Sequence, residues 1–177
     1  MIGQRSVSRG LSPLPCLGPE ATIAREGEEP RPLQEGAIVL MDENDSKCTI
    51  AVDYSADVDK IYSFAANEGC KDFNDLATKF QLENLLSCTY IGFYESGTDD
   101  GKWSFVLRIM KKVVSTDPIL FENIKGLNVG AKIIRPGVML KRLRLDGDAM
   151  TMRKSLSTVW VKTFNGEEML PEEERLR

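Results

Sequence analysis

The sequence predicts an α+β fold: a single compact domain in which an antiparallel sheet of four to six strands packs against two or three helices, behind a disordered amino-terminal arm. Three observations lead there. Trp103, Phe105, Leu107 and Ile109 alternate with more polar residues, the period of a half-buried strand. Phe73, Leu76, Ala77 and Phe80 recur at spacings of three and four, the period of one helix face. A chain of 177 residues with ordinary apolar content is long enough for one real core and too short for two.

Residues 1–36 read as a flexible arm. Gly, Pro, Ser, Arg and Glu dominate, and the charged run at 25–31 offers almost nothing to bury. Within the arm Leu11, Pro13, Leu14 and Pro15 form the segment best suited to docking, because prolines favour extended geometry and reduce the entropy lost on ordering. The first twenty residues lack a continuous apolar stretch, which argues against a secretory signal, and no window approaches the roughly 18 apolar residues of a membrane span.

The globular part is expected over 37–166. Residues 38–41 predict a short edge strand, Asp42 to Ser46 a turn, and 47–54 a strand with Cys48, Ile50, Val52 and Tyr54 on one face. Val58, Ile61, Tyr62 and Ala65 stand at helical spacing over 57–66, although the same residues could extend the preceding strand through a bulge. A second helix is expected from Asp72, as N-cap, to Phe80, with Asp75 in its first turn where a carboxylate favours the helix dipole. A hairpin follows, from Tyr90 to Glu95 and from Lys102 to Met110, around a Gly- and Asp-rich turn. Gly126 and Gly130 break any long element over 124–134. Strands are expected again at 138–145 and 157–164, the latter with Val159 and Val161 on one face and Trp160 on the other. The acidic tail at 167–177 should be solvated. No internal repeat is visible.

Histidine is absent, which removes His-based triads, His general bases and the commonest zinc ligand. No Gly-rich phosphate loop follows a strand and no Ser lies in a nucleophile elbow. Asp99, Asp100, Asp146 and Asp148 are most simply turn formers. No catalytic, cofactor-binding or metal-ligating residues are therefore assigned, and the chain is not expected to be an enzyme or to take a small-molecule substrate. Cys16, Cys48, Cys70 and Cys88 are far apart with no CxxC pair, and read as reduced thiols of a cytosolic protein.

The net charge of −4 conceals a segregation. Residues 20–59 carry eleven acids against three bases, and residues 111–154 carry ten bases against four acids. Lys111, Lys112, Lys141, Arg142, Arg144, Arg153 and Lys154 make a candidate basic surface for anionic lipid or a ribonucleoprotein, or else a plain solvated face. Opposite charge in the two halves would let copies attract head to tail.

Across 71–121 the order of elements resembles the central part of rhabdovirus matrix proteins, most closely those of plant-infecting members. The residues that carry the resemblance are the aromatic-Ile-Gly step Tyr90-Ile91-Gly92 and the run Thr116-Asp117-Pro118-Ile119-Leu120-Phe121 after the second hairpin strand. The resemblance implies a viral structural protein that self-associates, condenses the nucleoprotein–RNA complex and links it to the anionic inner leaflet and the glycoprotein tail. It would reside in the virion and at host membranes in the cytoplasm, with passage through the nucleus left open. It also implies that Pro118, Ile119, Leu120 and Phe121 form an exposed loop for self-association or membrane contact; the residues alone equally allow a loop that folds back into the core. Two departures stand out: the amino terminus is not lysine-rich, and no Pro-Pro-x-Tyr budding motif is present. The rival readings are a β-rich module enclosing an apolar ligand and an accessory subunit of an RNA–protein complex.

Overall fold

A computed structural model describes residues 35–54, 57–66, 70–97, 101–127, 132–146, 152 and 154–164. β1 (Gly36–Met41) and β2 (Lys47–Val52) form a hairpin whose turn is tied by Asp42: its Oδ1 accepts from the backbone N–H of Asn44 at 2.7 Å and of Ser46 at 2.8 Å. β1 is not at an edge as its short apolar run predicts. It lies between β2 and β4 (Lys79–Glu83), which explains why Ile38 and Leu40 are fully buried.

β3 (Asp59–Ser63) leaves this sheet and pairs with β12 (Thr158–Lys162) in a second one. β6 (Tyr90–Tyr94) and β7 (Trp103–Ile109) are the predicted hairpin, with Trp103, Phe105, Leu107 and Ile109 all buried. β9 (Ile119–Leu120) crosses back to pair with β4, and α1 (Phe121–Lys125) follows directly. β10 (Lys132–Arg135) and β11 (Val138–Leu145) form a further hairpin that extends the second sheet beyond β7. β5 (Leu85–Leu86) and β8 (Val113–Val114) make a small separate ribbon.

The result is mostly β, in place of a sheet backed by helices. A four-stranded sheet β2-β1-β4-β9 and a six-stranded sheet β10-β11-β7-β6-β12-β3 enclose the core, and α1 is the one α-helix among the described residues. Both predicted helices give way to strands for a physical reason. Over 57–66 the sheet edge of β12 captures 59–63, leaving only a 3₁₀ turn at Phe64–Ala66. Over 72–80 a 3₁₀ turn at Lys71–Phe73 ends where Asp75 takes φ 58°, outside the right-handed helical region. Beyond it Phe80 and Leu82 alternate inward as strand residues while Leu76 stays exposed, so the helical spacing of Phe73, Leu76, Ala77 and Phe80 marks no shared face.

The architecture contains a repeat that the residues conceal. Each half has a hairpin (β1–β2, β6–β7), a third strand lent to the other sheet (β3, β9) and a fourth that returns beside the first (β4, β12). Backbone bonds recur in the same places. The N–H of Thr78 donates to Met41 O at 2.8 Å and that of Ser157 to Tyr94 O at 3.0 Å. Phe64 N–H donates to Ser157 O at 3.0 Å, and Phe121 N–H to Thr78 O at 3.2 Å. Asp75 N–H reaches Leu156 O at 3.1 Å while Lys154 N–H reaches Ala77 O at 3.3 Å, and Lys154 has φ 55°.

Between the sheets Phe80, Phe93, Phe105, Phe121 and Trp103 form one aromatic cluster, with centroids 4.8 Å apart for Phe80–Phe93 and for Phe93–Phe105. Burying such rings supplies much of the driving force for closing the sandwich. Cys48 and Cys70 are joined by a disulfide with Cα atoms 5.7 Å apart, and Cys88 is disulfide-bonded as well. The expectation of reduced thiols is thereby corrected. The sheet brings β2 beside the turn at Lys71–Phe73, a proximity that a separation of 22 residues does not reveal.

Candidate functional site

The outward positions of the six-stranded sheet bring together side chains that the chain order scatters. Strand registers set three rows across it. One runs Asp59, Lys162, Tyr90, Arg108, Met139, Ile133; the next Ile61, Trp160, Gly92, Val106, Arg142; the third Ser63, Thr158, Tyr94, Ser104, Arg144. Tyr90 on β6 thus stands between Arg108 on β7 and Lys162 on β12, and Arg142 and Arg144 on β11 lie farther along the same face. Each follows from period-two alternation, since Phe93, Phe105 and Val159 take the inward phase.

Cation–π contacts knit the face. The Arg108 guanidinium lies 5.6 Å from the Tyr90 ring centroid, and Lys162 Nζ lies 5.0 Å from that of Phe164. The Trp160 indole N–H donates to Asp59 Oδ1 at 2.7 Å, and Lys162 Nζ sits 3.1 Å from Asp59 Oδ2. The indole hydrogen bond above all holds the Asp59 carboxyl below its ordinary range, against the opposing effect of burial and with the Lys162 ammonium adding to it. Tyr94 folds over Gly92: a Cβ there would meet the Tyr94 ring at 2.6 Å, so only glycine leaves the ring its place.

The predicted basic residues divide. Arg142 and Arg144 lie on this face, Arg144 ion-paired with Asp146, while Lys141 occupies the register shift between Leu140 and Arg142. Lys111 and Lys112 are exposed at the end of β7, where the Lys111 stem packs on the turn at Gly137. Lys154 belongs elsewhere, paired with Glu43 of the β1–β2 turn at 2.8 Å. Arg153 lies outside the described residues, as do Leu11, Pro13, Leu14 and Pro15 of the arm and the acidic tail. Arg108, Lys162 and Tyr94 were not singled out, and Tyr90 only within the aromatic-Ile-Gly step; their outward phase within the strands was the signal that could have found them.

The apolar loop differs most from expectation. Ile119 is 2% exposed and Phe121 is fully buried, with its centroid 5.3 Å from that of Phe80 and 5.5 Å from that of Phe93. Of the four residues only Pro118 and Leu120 face outward. Ile119 and Phe121 are not exposed as expected, because pairing of β9 with β4 turns them into the core, while Leu120 stays 43% exposed.

The Tyr54 hydroxyl accepts from Leu86 N–H at 3.0 Å and donates to Thr89 Oγ1 at 3.2 Å, since the Thr89 hydrogen goes to Leu86 O at 2.7 Å. Burial pushes the Tyr54 phenol up from its ordinary value. Among the described residues no group of three His, Cys, Asp or Glu side chains could hold a metal ion, and no helix is long and apolar enough to cross a membrane. Comparison with protein-family models, curated proteins and solved structures finds no match.

Proposed function

We propose that this protein is a non-catalytic binding and assembly protein that engages a ribonucleoprotein through the outer face of its six-stranded sheet. The observation that carries the reading is one outward face shared by the half-buried rings of Trp160 and Tyr94 and the cations Lys162, Arg108, Arg142 and Arg144, with Tyr90 buried beneath Arg108. A sheet that presents aromatic rings beside guanidinium and ammonium groups suits unpaired bases, which stack on the rings, and phosphates, which meet the cations. Ribonucleoprotein binding is one part of the role that the resemblance to rhabdovirus matrix proteins implies. Virion assembly, membrane linkage and contact with a glycoprotein tail rest on the resemblance alone, and the buried Ile119 and Phe121 lend those parts no support. The apolar-ligand reading fares worse, because the aromatic cluster fills the space between the sheets.

Fluorescence anisotropy of a labelled single-stranded RNA, titrated with the full chain at several salt concentrations, tests the proposal. Log affinity should fall linearly with log salt, by about 0.7 per phosphate contacted. The Arg142→Glu/Arg144→Glu variant should bind at least about tenfold more weakly while keeping its circular dichroism, and Trp160→Ala should lose roughly 1–3 kcal/mol of stacking. Absence of binding at low salt, or binding that both variants leave intact, overturns it. Binding to anionic vesicles without binding to RNA would transfer the face to a membrane role.

A further inference from the structure

The six-stranded sheet ends in two open edges of unlike character. β3 at one end carries Ile61, 58% exposed, and β10 at the other carries Ile133, 59% exposed; these are the two most exposed large apolar side chains among the described residues. Acids accompany the β3 edge, with Asp57 and Asp59 against Lys60, whose ammonium lies over the Tyr62 ring at 4.7 Å. The β10 edge has Lys132 and Arg135 and no acid within the strand, with Lys111 and Lys112 near its turn.

Strand direction makes the two edges compatible. All five pairings from β10 to β3 are antiparallel, so across six strands the end strands run in opposite directions. A second copy, shifted sideways without being turned over, therefore sets its β10 antiparallel to the first copy's β3. The inner faces of the two sandwiches then stay on the same side. Ile61 and Ile133 both hold outward positions. A register that places them opposite one another sets Tyr62 level with Lys132, while the register shift between Ile133 and Arg135 puts Arg135 in the phase of the inward Val138, off the face that Asp59 holds.

We infer that the protein self-associates head to tail, β3 of one copy pairing with β10 of the next. The pairing satisfies backbone groups that an edge strand leaves open, and exposed edges of this kind are templates for strand addition. The contact is heterologous, so each added copy presents a fresh β3 and a fresh β10, and the assembly grows as a filament unless a ring closes. Sheet twist would wind such a filament helically. The inference rests on the strand edges and not on RNA binding, although Ile61 and Ile133 also end two of the outer-face rows.

Sedimentation velocity of the full chain over a range of concentrations at low and high salt tests it, with Ile61→Lys and Ile133→Lys as blocking variants. Both sites are exposed, so folding should survive. The wild-type chain should give a series of species that grows with concentration and shrinks with salt. Each variant alone should be a monomer, because one edge is blocked in every copy. An equimolar mixture of the two should stop at a dimer, the intact β10 of one variant meeting the intact β3 of the other. A wild-type chain that stays monomeric at high concentration and low salt overturns the inference. So does growth by either variant alone, and so does a dimer formed by a single variant, which would mean like edges pair with like.

Discussion

The two halves of the molecule lend each other a strand, and the two loans are held by different forces. β3, from the first half, sits at an edge with Ile61 in solvent, fixed by its ladder to β12 and by Asp59 binding the Trp160 indole and Lys162. β9, from the second half, has only two residues, yet it brings Ile119 and then Phe121 into the centre of the aromatic cluster. One loan is polar and peripheral, the other apolar and central. The backbone switches that steer them are nonetheless matched, with Asp75 and Lys154 in the same left-handed conformation and each N–H bonded across to the other half. Geometry is repeated while side-chain chemistry is free to diverge, which is how an acidic half and a basic half share one architecture.

The largest test of that contrast removes the central anchor. Phe121→Ala should destabilise the fold by about 3–5 kcal/mol in denaturant titration, and the whole sandwich should melt in one transition because both sheets share the cluster. Two resolved transitions would show that the halves fold independently and that the lent strands do not couple them.

A second test addresses the covalent tie of the first half. Cys48–Cys70 closes a loop of sequence separation 22, which chain entropy values at about 3 kcal/mol. The paired Cys48→Ser/Cys70→Ser variant should lose roughly that stability, and loss near zero would show that β2 and the turn at Lys71–Phe73 are already fixed by packing. The bond also bears on setting, since disulfides persist in secreted proteins and on virion surfaces and are rare in the cytosol.

The matched switches can be compared directly. Glycine at a left-handed position relieves Cβ crowding and returns some entropy to the unfolded chain, so Asp75→Gly should stabilise by about 0.5 kcal/mol. Lys154→Gly should gain less, because it also removes the partly exposed pair with Glu43. Equal gains would mean that this ion pair contributes nothing.

Much of the second half was legible in the residues. Trp103, Phe105, Leu107 and Ile109 alternate cleanly because β7 has one face on the core, and Val159 and Val161 do so for the same reason. The first half misled. Helical spacing at Phe73, Leu76, Ala77 and Phe80 arises by coincidence across a turn and a strand, and no local pattern announces that Asp75 adopts φ 58°. The repeat was hidden because it lives in backbone bonds, which do not constrain side-chain type. The candidate face was half-legible: Arg142 and Arg144 stood out as charge, but Trp160, Tyr90 and Arg108 come from three other strands that only the registers bring to the same face. Loop residues such as Ile119 and Phe121 looked exposed because they lie among polar neighbours in sequence, whereas pairing with β4 turns them inward.

The smallest effect concerns the polar loan itself. The Trp160 indole foremost holds the Asp59 carboxyl below the ordinary value of 3.8, against the opposing effect of burial and with Lys162 adding to it. A carboxyl whose folded pKa is lowered contributes stability above its unfolded value, and that contribution is lost as pH falls through the folded one. A carbon-detected NMR titration should therefore place the Asp59 midpoint below 3.8, and the emission of Trp160 should shift over the same range as its hydrogen-bond acceptor becomes protonated. Because the Asp59 side chain is 58% exposed, the stability at stake is well below about 1 kcal/mol. Asp59→Asn should abolish the emission change and leave the melting curve almost unmoved. A large loss of stability on that substitution would instead make β3 as firmly anchored by its polar ties as β9 is by Phe121, and the contrast between the two loans would dissolve.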